Sequence, residues 1–198
     1  MRIFLLRLSK GYTRPFKLND LPGAGRIDLA CRCITTAIFI SEALRKNVEF
    51  RLVLEGPPEP PKTITFVSHR LRRVYPDERN IASHINIALE KSMKMRKNER
   101  IESEAGIFIE RTGFEKNVRE LAEATQLIYL HPRGKDIQEF SFDKDVCFIL
   151  GDHRGLSKNN ERFLKRMGAE VISLGKITYL ASQVIAICHY ELDRRGIE

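Results

Sequence analysis

Tryptophan is absent from this 198-residue chain, and its aromatic residues are not clustered into a platform, so base recognition by stacking is not advertised. No apolar run approaches the roughly 20 residues of a membrane span, which argues against a spanning helix. Cysteine is scarce: Cys31, Cys33, Cys147 and Cys188 include no C-x-x-C pair. Cys31 and Cys33 fall two apart in a helical pattern and point to different faces. That spacing argues against a disulfide framework or a zinc site, no metal is expected, and small buried hydrophobes remain as the reading. The opening Met1-Arg2-Ile3-Phe4-Leu5-Leu6-Arg7-Leu8 is too short, and too soon interrupted by Arg7, for a signal peptide. It reads as a strand, and a cytoplasmic protein is expected. Internal repeats and low-complexity tracts are also absent.

Two nucleotide-binding motifs fail on spacing. Gly175-Lys176 lacks the upstream glycine and the following Ser/Thr of a P-loop. Gly23-Ala24-Gly25 lacks a third glycine and follows a polar loop, where a dinucleotide fingerprint follows a strand.

What is present is positive charge. The formal net charge is +8, which favours a polyanionic partner. Hydrophobic residues at 42% and charged residues at 30% place the chain among ordinary globular proteins, and its length suits one domain, 1–198. Strand and helix patterns alternate. Strands are expected at Arg2–Leu8, Val48–Leu54, Lys62–Ser68, around Ile107-Phe108-Ile109, at Gln126–Leu130, Val146–Leu150 and Glu170–Leu174. Helical spacing links Ile27, Ala30, Cys31, Ile34, Ile38, Ser41 and Leu44. It recurs from Ile81 to Ser92, from Phe114 to Ala122, from Ser157 to Met167 before Gly168, and from Leu180 to Leu192. Gly56-Pro57-Pro58-Glu59-Pro60-Pro61 excludes a helix. Continuous apolar strands between helices predict an α/β fold with a mainly parallel sheet covered on both faces.

Ligands of such sheets bind beyond the carboxyl ends of the strands. Three ends carry glycine loops: Tyr129-Leu130-His131-Pro132-Arg133-Gly134, Leu150-Gly151-Asp152-His153-Arg154-Gly155-Leu156-Ser157, and Ser173-Leu174-Gly175-Lys176-Ile177-Thr178-Tyr179-Leu180. Each alone also fits an ordinary strand-to-helix turn. Together, the second segment, Ser173-Leu174-Gly175 and Tyr179-Leu180-Ala181-Ser182 resemble the paired C-terminal motifs of the SPOUT methyltransferases. With Gly25-Arg26-Ile27-Asp28-Leu29-Ala30-Cys31-Arg32-Cys33 and Leu130-His131-Pro132-Arg133-Gly134 added, the whole chain resembles the archaeal TrmY family, which methylates N1 of pseudouridine 54 in the T loop of tRNA.

The resemblance implies a C-terminal trefoil knot over about 126–198, a homodimer, a tRNA partner and bound S-adenosylmethionine. Composition and spacing could not have shown a knot. The implied cofactor residues are Leu130, Gly151, Leu174, Gly175, Lys176, Ile177, Thr178, Tyr179 and Leu180, with Val184 one turn further along. Methylating N1 of pseudouridine requires loss of the N1 proton, so a base must take it or a positive group must stabilise the anion. Asp28 and Asp152 are candidates for base or orienting carboxylate, and Arg26 and Arg154 for holding phosphate or the uracil oxygens. Asp28 equally fits an acidic first-turn residue, and Asp152 a turn residue bonding its own backbone. His153 is a loop histidine with the same ambiguity. The basic runs His69–Arg73 and Lys91–Lys97 are candidates for phosphate contact or simply solvated faces. A related enzyme acting on ribosomal RNA or on a ribose 2′-hydroxyl, and a non-catalytic RNA-binding protein, both remain open.

Overall fold

The computed structural model describes residues 1–96, 99–142 and 145–197. In chain order its elements are β1 (Arg2–Leu8), α1 (Ile27–Ile38), β2 (Phe39–Ile40), β3 (Ala43–Leu44), β4 (Val48–Leu54), β5 (Lys62–Val67) and α2 (Glu78–Ser92). There follow β6 (Arg100–Glu104), β7 (Ile107–Glu110), α3 (Phe114–Ala122), β8 (Gln126–Asp136), β9 (Val146–Gly151), α4 (Lys158–Arg166), β10 (Glu170–Ser173) and α5 (Ala181–Arg194). One eight-stranded sheet runs in the order β10-β8-β9-β1-β4-β5-β7-β6. It is parallel from β10 to β4 and antiparallel from β5 to β6.

The two-residue side-chain period of a strand divides the core. Phe4, Leu6 and Leu8 of β1 join a cluster with Ile34 of α1, Ile85 of α2 and Ile185 of α5 on one face. Ile3 and Leu5 join Val118 of α3 and Phe163 of α4 on the other. Burial of each such side chain contributes on the order of 2 kcal/mol. The four cysteines are buried and unpaired. Burial pushes every thiol up, Cys33 and Cys147 to about 12.

The helix expected to run to Leu44 ends at Ile38. Phe39 is extended, with φ −91° and ψ 141°, and β2 and β3 pair as a small antiparallel hairpin. Ser41 and Leu44 fell on the helical spacing by coincidence, whereas Phe39 and Ile40 are strand formers. β6 was not expected at all. Its Arg-Ile-Glu-Ser-Glu sequence lies at the sheet edge, where charge rather than apolar alternation guards an exposed strand.

β8 is longer than expected and interrupted. Tyr129 pairs with Val171, but the next partner of β10, Ile172, pairs with Lys135. Leu130 to Gly134 therefore stand out of the ladder as a bulge. Gly134 permits it: a Cβ there would lie 2.4 Å from the Ile172 carbonyl carbon and 2.6 Å from its Cα and N. Only a residue without a side chain closes the bulge against that backbone.

At the amino end of β1, Arg2 is buried at 3% exposure. It donates to Asp193 Oδ1 (2.6 Å), to the Ile197 carbonyl (2.6 Å) and to His189 Nδ1 (3.0 Å). His189 in turn donates from Nε2 to the Ala37 carbonyl at 3.0 Å. A ring that accepts at Nδ1 and donates at Nε2 is neutral. Burial, then the charges of Arg45 and Arg2, push the imidazole down to about 3 from 6.5. Between those values the unfolded chain binds more protons than the folded one. The stability associated with neutral His189 is thus fully present above about pH 6.5 and declines as pH falls toward 3. Thermal melts from pH 4 to 7 should show a steeper acid decline for the wild type than for His189→Gln. Parallel curves would rule out this buried imidazole as a source of acid sensitivity.

Candidate functional site

The carboxyl ends of β8 and β9, the start of α1 and the segment leading into α5 enclose a cavity of about 460 Å³. Leu130, Gly151, Thr178, Tyr179 and Leu180 line it. A smaller adjoining cavity of about 150 Å³ is lined by Leu174, Gly175 and Ile177, and it shares Leu130, Thr178, Tyr179 and Val184 with the first. The structure thus brings eight of the nine expected cofactor residues around one continuous hollow, with Val184 in both parts. Lys176 borders neither part and is exposed. β10 lies on the outer side of β8, yet Thr178 to Leu180 reach the same hollow as Gly151 of β9. The segment after β10 therefore returns across the end of β8.

The polar side of the larger cavity comes from the start of α1. Arg26 and Arg32 line it, and both bond Asp28. Asp28 accepts from Arg26 Nε (3.0 Å), Arg26 Nη2 (3.1 Å) and Arg32 Nη2 (2.7 Å). Burial works to raise its carboxyl, but these bonds outweigh burial and hold it below the usual carboxylate range. Arg26 itself has a left-handed backbone, φ 69° and ψ 38°, which costs a non-glycine residue roughly 1–2 kcal/mol. Gly25 before it is also left-handed, and a Cβ there would lie 1.8 Å from the Lys10 carbonyl oxygen. A tight turn that requires glycine at position 25 thus delivers the Arg26 guanidinium to the cavity, and the second turn of α1 delivers that of Arg32. Arg32 was not singled out from the sequence. The signal available was its spacing from Asp28, four residues along a helix.

Asp152 lines the cavity, but its carboxylate is occupied. Oδ2 accepts from the Ser9 hydroxyl (2.5 Å) and amide (3.1 Å), and Oδ1 from the Arg154 amide (2.8 Å). Burial works to raise this group too, and the Ser9 and Arg154 bonds lower it. These bonds tie the end of β1 to the turn after β9. Arg154 is exposed and does not border the cavity, whereas His153 does.

The two basic runs lie at opposite ends of the sheet. Ser68, beside His69–Arg73, accepts from the amide of Val48, the first residue of β4. That is the end away from the cavity, and Arg70 there is held by Glu102 at 2.8 Å and lies over Phe108. Lys91–Lys97 begins beside Ser92, whose hydroxyl is 2.9 Å from Nζ of buried Lys62. Lys62 pairs with Leu54 at the carboxyl end of β4, so this run stands at the cavity end. Its last residue, Lys97, falls outside the described residues.

Residues 1–197 match the family model of SAM-dependent RNA methyltransferases. The chain belongs to this family. A tRNA (pseudouridine(54)-N(1))-methyltransferase of Thermococcus gammatolerans is 43% identical, over 98% of this chain and 97% of the relative. Enzymes of the same name from Methanopyrus kandleri and Methanocaldococcus jannaschii are 42% and 41% identical, over 98% and 100% of this chain and 93% and 98% of the relatives. The fold is shared with the crystal structure of Archaeoglobus fulgidus Nep1 bound to S-adenosylhomocysteine, at a TM-score of 0.65, 15% identity and coverage of 100% and 99% of the two chains.

The hollow suits the cofactor of this family. Its larger part falls within the roughly 300–1,000 Å³ of small-molecule sites. Leu130, Ile177, Leu180 and Val184 form apolar walls against which a flat purine ring would fit, and the backbone of the loop from Leu174 to Tyr179 would be available to its edge.

Proposed function

We propose that this chain methylates N1 of pseudouridine 54 in the T loop of tRNA, as a single SPOUT domain working in the cytoplasm as a homodimer. The observation that carries the reading is the Arg26–Asp28–Arg32 cluster, set in the wall of the hollow that the cofactor loops form. Leu130, Gly151 and the loop Leu174–Leu180 hold S-adenosylmethionine, which when bound supplies an electrophilic methyl group.

The chain's own residues deal with the acceptor. Asp28, ionised and bonded to both guanidiniums, fixes their direction. Arg26 and Arg32 hold the uracil oxygens and stabilise the negative charge that develops as N1 gives up its proton to water. Asp28 is an orienting carboxylate in this scheme, because three N–H bonds and a lowered pKa leave it a poor proton acceptor. Asp152 supports the turn that places Gly151 and His153 in the wall, and Arg154 beyond the rim is free to meet an RNA phosphate. Alignment of base and methyl donor in one hollow contributes several kcal/mol by proximity alone.

The return of the chain from β10 across β8 to the end of β9 supports a trefoil knot in 126–198. A second, apolar groove of about 880 Å³ supports the homodimer. It lies at the far end of α1, between the β2–β3 hairpin and α5, and Ile40 and Tyr190 on its wall are 46% and 63% exposed.

The deciding experiment supplies labelled S-adenosylmethionine with two T-arm RNAs, one carrying pseudouridine and the other uridine at the target position. Label should enter only the pseudouridine RNA, at N1. Transfer to a ribose 2′-hydroxyl, or to ribosomal RNA alone, would overturn the reading.

A further inference from the structure

A third hollow, of about 570 Å³, opens between α4, β8 and β10. It meets the cofactor hollow on both sides: Tyr129 lines it and the larger cavity, and His131 lines it and the smaller one. Its helical wall carries Lys158, Arg162 and Lys165. The spacing i, i+4, i+7 puts these three on one face of α4 over roughly 10 Å, about three phosphate steps along one strand of a duplex. All three are exposed, and among the described residues none has an ion-pair partner. The one carboxylate on the wall, Glu161, accepts from the Tyr129 hydroxyl at 2.9 Å and forms no ion pair with the three cations. Arg166 on the same helix is differently engaged, with its guanidinium over the Phe163 ring at 6.0 Å, and does not line the hollow. Among the cations of α4, the three without a partner are the ones that border the hollow.

We propose that this hollow is a docking track for the RNA phosphate backbone, with Lys158, Arg162 and Lys165 each neutralising one phosphate of the strand that presents the target nucleotide. The occupant follows from charge complementarity and from continuity with the methyl-transfer site. The proposal rests on the RNA-methyltransferase reading for the choice of occupant, but its test reads binding and not methylation.

Neutralising three phosphates sets a salt slope. Log affinity falls against log salt by about 0.7 per phosphate for single strands and 0.9 for duplex. Lys158→Gln/Arg162→Gln/Lys165→Gln should therefore lower the slope of T-arm RNA binding, read by fluorescence anisotropy, by about 2 to 3. Between 50 and 200 mM salt the wild type should lose roughly 20- to 40-fold more affinity than the triple variant. Each single variant should lower the slope by about 0.7–0.9, which decides the matter even where the triple variant is unstable. Arg166→Gln should leave the slope unchanged, and S-adenosylmethionine affinity should be unaltered throughout. Slopes for the three single variants equal to wild type would overturn the proposal, as would an equal effect from Arg166→Gln. A lowered slope in an enzyme that methylates neither T-arm RNA keeps the track and removes the tRNA reading.

Discussion

Asp28→Asn is expected to lower single-turnover methyl transfer about 100-fold, the scale on which one preorganised donor to a developing anion acts, while S-adenosylmethionine affinity stays within about two-fold. The substitution keeps the size of the side chain and removes the charge that aligns Arg26 and Arg32. Both guanidiniums then face a neutral amide: Arg32 keeps Glu78 at 3.0 Å, whereas Arg26 loses its carboxylate partner and its direction toward the base. The apolar walls Leu130, Ile177 and Leu180 keep their side chains and carry no charge that depends on Asp28, which is why binding and chemistry should separate. Single-turnover quench with saturating enzyme reads the chemical step, and calorimetry reads cofactor binding. Unchanged methylation at saturating RNA would remove Asp28 from the mechanism. The pH profile adds a second reading. Asp28 is held ionised from below the usual carboxylate range upward, so the wild-type rate should carry no limb from this group at neutral pH. Its contribution to stability is present above the ordinary carboxylate value and is lost as pH falls through its lower folded value.

Gly134→Ala should destabilise the protein and weaken cofactor binding together. The new Cβ would meet three backbone atoms of Ile172 at 2.4–2.6 Å, and backbone cannot rotate away as a side chain can. Overpacking of this kind costs about 1–3 kcal/mol, which for a domain of this size lowers Tm by roughly 2–4 °C per kcal/mol. Relief of the clash must move β10 away from β8 or re-form the Leu130–Gly134 bulge. Either movement displaces Leu130, which lines both parts of the cofactor hollow. S-adenosylmethionine affinity should therefore fall at least 10-fold below the melting range. A variant that melts earlier but binds the cofactor as tightly as wild type would separate the bulge from the pocket.

How far these features were legible in the sequence depended on what surrounds each residue. β1 and β9 were read correctly because strands buried on both faces are mostly apolar, and β4 because Val48, Phe50, Leu52 and Val53 are strand formers or apolar residues on buried faces. β6 was missed because an edge strand carries charge where a central strand carries valine and isoleucine. α1 was overrun because helical spacing continued for six residues past the point where Phe39 turned extended. The cofactor loops were found through family resemblance, since their glycines fit no nucleotide motif of known spacing. The bulge in β8 was beyond reach: its signal is the distance from Gly134 to a backbone nearly forty residues later in the chain. Asp152 illustrates the converse. Its residue type and loop position suggested chemistry, and the contact with Ser9, 143 residues away in sequence, shows a carboxylate already in use.

Arg2 has one further consequence. The guanidinium at the start of the strand that occupies the centre of the sheet bonds to His189, Asp193 and Ile197, all in or just after α5. The contact with Asp193 joins the start of the central strand to α5 across 191 residues of sequence. Without Asp193 the guanidinium stays buried and loses its carboxylate, and removing one partner of a buried pair costs about 3–5 kcal/mol. The centre of the sheet and α5 are therefore coupled as one cooperative unit, so that loosening the end of α5 loosens one of the two strands farthest from any sheet edge.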